Sequence, residues 1–142
     1  MHTTLGPVVV LVLWSLVMLG WTVVRRFVAM KANRISNAGR RGGRGQDLEK
    51  MLPDAAVHWP SHNYTHLMEQ PTLFYAIALA LFAIGAGGGW SAWLAWAYVV
   101  IRVMHSVVQS TSNIISIRAN LFLLSTGVLI TLAVRAMMAL PR

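Results

Sequence analysis

Two stripes of polar side chains carry the chemical potential of this chain. His62, His66 and Glu69 stand at i, i+4 and i+7, which places them on one face of a helix. They run straight into the apolar stretch Thr72 to Ile84, so an unbroken helix sets Glu69 about 10 Å inside its start. Arg102, His105, Gln109 and Asn113 are spaced 3, 4 and 4 and form a second stripe in another apolar segment. Ionisable groups at such depth are costly unless a partner or a water-filled cavity receives them, which makes both stripes functional-site candidates. Facing each other, they offer a carboxylate, imidazoles, an amide and a guanidinium, a set suited to a cytoplasm-facing site that accepts an anion. Two alternatives stand beside this reading. A polar network can serve helix packing alone, at ~0.6 kcal/mol per hydrogen bond. The histidines with Glu69 could also ligate a metal, with His58 or His105 as a third ligand; the missing Glu between His62 and His66 removes the zincin pattern, and no metal is expected.

The elements that position these stripes are membrane spans. The chain has 142 residues, 56% hydrophobic and 11% charged, with a mean hydropathy of +0.59. Soluble domains carry about 25% charge. The net charge of +8 could suggest nucleic acid, but eight of the twelve basic residues (Arg25, Arg26, Lys31, Arg34, Arg40, Arg41, Arg44 and Lys50) lie in one segment between apolar runs. That is the positive-inside signature of a cytoplasmic loop, and no nucleic-acid partner is expected. There is no cysteine, so any thiol chemistry needs a thiol brought by a ligand.

Spans are expected at about 6–28, 61–84, 91–112 and 119–140, in a single domain covering 1–142. The fold class is all-α, an integral membrane four-helix bundle. The first span lacks the basic start and small-residue cleavage site of a signal peptide. Arginines follow it, which puts both termini outside and the basic loop 31–60 in the cytoplasm. The glycine-rich piece Asn37 to Gly45 reads as a flexible solvated linker, or as a contact for anionic headgroups; it lacks the strand and Lys-Ser/Thr ending of a phosphate loop. Pro71 frees the carbonyl of Leu67. Gly85 to Gly89 forms an outer turn followed by Trp90, Trp93 and Trp96, an interfacial belt, and Asn113 to Arg118 an inner turn.

Taking Gly87 as the fold point, Glu69 lies 18 residues before it, and Arg102 and His105 lie 15 and 18 after it. Antiparallel neighbours of equal rise then set Glu69 level with the Arg102/His105 turn, which supports a Glu69–Arg102 pair or charge-assisted bonds within the stripe.

These residues resemble the MAPEG family, membrane-associated proteins of eicosanoid and glutathione metabolism, and its bacterial members in particular. The resemblance covers most of the chain. His62, His66, Glu69 and Pro71 occupy the places of the first family motif, within Asn-Tyr-x-x-Leu-x-Glu-x-Pro-x-Leu-Phe-Tyr from Asn63. Arg102 and His105 match the Arg-x-x-His of the second, where Gln109 stands in place of a tyrosine. The resemblance implies a homotrimer in a membrane, for a bacterial chain the inner membrane, with glutathione as co-substrate between subunits near the cytosolic face. It implies conjugation, peroxide reduction or isomerisation of lipophilic small molecules. Arg25 or Arg26, His66, Glu69 and Arg102 would hold glutathione, with His62, His105, Gln109 and Asn113 in the same stripes. Arg118 resembles the arginine that supports the glutathione thiolate. Some family members bind lipid without catalysis, which keeps a lipid-binding or scaffold protein as the alternative. A transporter lacks the internal repeats and paired broken helices it would need.

Overall fold

A computed structural model describes residues 3–36, 38–39, 41–42, 45–52 and 54–140. Asn37, Arg40, Gly43 and Arg44 of the expected linker lie outside the described residues. The elements are α1 (Leu5–Ala32), α2 (Gly45–Met51), a 3-10 turn (Ala55–Val57), α3 (Trp59–Ala83), α4 (Trp90–Thr111) and α5 (Ile115–Ala139). The described residues contain no strand.

In α1 the buried residues Pro7, Leu11, Ser15, Met18 and Thr22 make one narrow stripe, and the rest of its apolar surface faces outward. Its two buried hydroxyls bond within the helix, Ser15 to the Leu11 carbonyl and Thr22 to that of Met18. Both hydroxyls are thereby satisfied without leaving the helix. α1, α4 and α5 are each long and apolar enough to cross a membrane. α3 matches them in length, but its first half carries the polar stripe and lowers its hydropathy below theirs.

Direction follows from the contacts. Thr4, before α1, donates its N–H to Gly87 O and its hydroxyl to Ala78 O, while Arg26 at the other end of α1 donates to Ser61 Oγ. α1 therefore runs antiparallel to α3. Trp14 donates to Ser106, and Gly6 abuts Trp96, so α1 and α4 are parallel. Arg135 of α5 donates to Ser91 of α4, so α5 is antiparallel to α4. The basic end of the molecule thus gathers the end of α1, the start of α3, the end of α4 and the start of α5. An apolar core of Leu11, Met18, Phe74, Leu81, Tyr98 and Leu132 fills the rest, with Phe74 and Tyr98 stacked at 4.4 Å.

Three expectations change. The basic loop is partly built: Leu52 and His58 are buried, and His58 Nε2 bonds the Leu52 carbonyl at 2.9 Å. Arg118 belongs to the first turn of α5, its N–H donating to Ile114 O, rather than to a preceding turn. The third is register. Arg102 reaches His66 O, Asn63 bonds Ser106, and Tyr98 bonds Gln70, so α4 sits about one and a half helical turns away from the equal-rise alignment. The cause is the path between α3 and α4. Gly85, at φ +75°, closes a Schellman cap in which Ala86 N–H bonds Leu81 O and Gly85 N–H bonds Phe82 O. The chain then doubles back along α3: a Cβ on Gly87 would sit 3.0 Å from Phe82 Cα and 2.9 Å from Thr4 Oγ1. α4 begins only after that descent.

Candidate functional site

Three helices meet around a cleft of about 190 Å³ at the basic end, lined by His62, Thr65, His66 and Glu69 from α3, Gln109 from α4 and Arg118 from α5. Thr65 was legible from spacing, since i+3 from His62 shares the face. Each wall is fixed from behind. Arg118 Nη1 donates to Asn113 Oδ1 at 2.5 Å, and Asn113 adopts a positive φ of 52°, a conformation asparagine tolerates better than most residues. Asn113 thus positions Arg118 and does not line the cleft. His62 Nε2 lies 2.8 Å from Glu49 Oε1, which ties α2 to the rim; nothing in the sequence spacing pointed to Glu49.

His66 Nδ1 lies 3.1 Å from Glu69 Oε2, and the His66 ring stacks on Phe122 at 5.2 Å and approaches His105 at 5.2 Å. Phe122 is one turn after Arg118, on the same face of α5, a spacing that could have flagged it.

Arg102 and His105 are buried and do not line the cleft. Arg102 is 1% exposed, between the rings of Phe122 at 5.7 Å and Tyr98 at 6.0 Å. Among the described residues no ion pair joins it to Glu69, whose side chain is 63% exposed and pairs with His66 instead. The expected Glu69–Arg102 pair is therefore corrected: the shift in register carries Arg102 past Glu69 to the His66 carbonyl, at 3.4 Å. That carbonyl, rather than the one of Leu67 freed by Pro71, receives the guanidinium. Arg102 Nε and Nη1, Asn63 Oδ1 and Gln109 Oε1 are buried with no hydrogen-bond partner among the described residues. Such groups are costly in a membrane interior and suit a ligand or water with matching donors and acceptors.

Arg25 and Arg26 stand apart from the cleft. Arg26 Nη2 donates to Ser61 Oγ at 2.5 Å, and Arg25 Nη2 reaches Ala56 O at 3.4 Å. Among the described residues, no group of three or more His, Cys, Asp or Glu could hold a metal ion.

Residues 4–138 match the MAPEG family. The chain belongs to that family. No match was found among curated proteins or solved structures. MAPEG membership, with three helices able to cross a bilayer, makes the chain an integral membrane protein.

The cleft lining thus offers a cation in Arg118, held by Asn113, a carboxylate in Glu69, which sits against His66, and the amide of Gln109.

Proposed function

We propose that this MAPEG protein is a glutathione-dependent membrane transferase or peroxidase acting on lipophilic electrophiles. The observation that carries the reading is the placing of Arg118 across one small cleft from Glu69, His62 and His66, at the basic end of the helices. In this reading all four long helices cross the membrane, both termini lie outside, and the basic segment faces the cytoplasm, at a bacterial inner membrane. The chain assembles as a homotrimer, so that a neighbouring subunit covers the cleft and Arg26 of that neighbour can reach it.

Glutathione supplies a thiol nucleophile. Glu69 and His66 take its ammonium and His62 a carboxylate, while Gln109 hydrogen-bonds the peptide. Arg118, held in place by Asn113, stabilises the thiolate, because a nearby cation favours the charged form. The electrophile enters from the bilayer side. The thiolate's electron pair forms the new bond to sulfur, and the leaving group departs with the electrons of the bond that breaks. In peroxide reduction the same attack falls on a peroxide oxygen, and a second glutathione completes the disulfide.

Calorimetry of the protein in nanodiscs tests this reading: glutathione binds, and a hydrophobic electrophile is conjugated. No heat at millimolar glutathione would reject it.

Gln109 favours one second reading, a non-catalytic lipid-binding or scaffold protein of the same family. It stands where the family motif has a phenol, and its Oε1 is buried without a partner among the described residues. Under that reading lipid co-purifies in the cleft and Gln109→Tyr creates no turnover.

A further inference from the structure

A second cavity, about 300 Å³, opens where the last turns of α1 pass beside the segment before α3. Arg25, Val28, Ala29, Ala32 and Asn33 line it from α1, at i, i+3, i+4, i+7 and i+8, so one helix face forms the wall. Leu52, Asp54 and Val57 form the opposite wall, and Leu52 is buried. None of these residues lines the cleft of His62 and Arg118.

Its depth is set by α1. The stretch from Leu5 to Val24 has no charge and spans roughly 30 Å, the thickness of the hydrocarbon core. Arg25 is the first charge after it, so the groove lies at the headgroup level. Its outer lip continues into Val24, Phe27 and Val28, which are exposed apolar side chains. Its polar side is basic: Arg25 lines it, and Lys31 and Arg34 are exposed nearby on the chain. Asp54 is the one carboxylate in the lining, and its Oδ1 already accepts from Ala56 N–H. Among the described residues the side chain of Arg25 makes a single long bond, at 3.4 Å to Ala56 O, and Asn33 uses one amide hydrogen on Ala29 O.

We propose that this groove binds an anionic phospholipid of the adjacent leaflet. The phosphate sits on Arg25 with the second amide hydrogen of Asn33, and an acyl chain lies on Val28 and Ala29 against Leu52 and Val57. The headgroup ties α1 to the segment that leads into α3 and the cleft. Because α1 alone sets the depth, the inference stands or falls independently of the glutathione reading.

The test is native mass spectrometry of the full chain released from detergent with phosphatidylglycerol or phosphatidylcholine. Phosphatidylglycerol should be retained over phosphatidylcholine, and Arg25→Gln should cut that retention about fivefold. Lys31→Gln, the same charge loss outside the lining, should cut it clearly less. Val57→Trp, which fills the groove, should abolish retention. If that variant fails to fold, the comparison of Arg25→Gln with Lys31→Gln decides alone. Equal retention of the two lipids, or equal losses in the two charge variants, would overturn the proposal. So would displacement of the lipid by excess inorganic phosphate, which would make the groove an anion site without lipid character.

Discussion

At the scale of single residues, Arg118 and Arg102 are both cations of the stripes but differ in what surrounds them. Arg118 lines the cleft and is held by Asn113. Arg118→Ala should lower kcat for glutathione conjugation roughly a hundredfold, the scale of losing one group that stabilises developing charge, with a far smaller change in glutathione affinity. Equal losses in both would mean that Arg118 only binds. Arg102 is 1% exposed with two unpartnered donors, so its desolvation is poorly compensated by the protein. Arg102→Met is expected to keep or raise the thermal midpoint in detergent while weakening glutathione binding. A lower midpoint with unchanged binding would identify a packing role. Both stripes were legible in the sequence because ionisable groups inside apolar segments stand out at helical spacing. The partner of Glu69 was not, because a pairing across helices depends on the depth at which each helix starts.

At the scale of elements, that depth is decided by the turn between α3 and α4. The cap at Gly85 and the return of Gly87 against Phe82 lower the start of α4, and no residue count through the turn contains that descent. Gly87→Ala should therefore destabilise the protein by about 1–3 kcal/mol, because the added methyl meets backbone at Phe82 and the Thr4 hydroxyl. Thermal unfolding against Gly20→Ala, where nothing lies within 4 Å, measures the difference. Equal midpoints would show that the close approach is not a constraint. Helical character was legible from long apolar runs with few breaks. The short helix α2 was not: seven residues with two acidic side chains and one basic show no period, and tertiary contacts such as His62 with Glu49 hold the region.

At the scale of the whole molecule, Arg25, Arg26, Arg118, the cleft and the phospholipid groove share one end, as they would if that end faced the cytoplasm. The chain has no cysteine, so single substitutions report topology cleanly. Lys50→Cys should react with an impermeant maleimide only when vesicles are opened from the cytoplasmic side, and Trp93→Cys only from the other; the reverse pattern would invert the orientation. An all-helical membrane protein was legible from composition and charge placement alone, whereas assembly was not, since outward apolar surface serves lipid and a neighbouring subunit equally. The account rests on a thiolate held in the cleft. Ultraviolet difference absorbance of the protein in nanodiscs with saturating glutathione at neutral pH reads that species directly. A thiolate band is predicted for the wild type and its loss in Arg118→Ala, with glutathione still bound by calorimetry. No band in the wild type, or an undiminished band in Arg118→Ala, would contradict the account.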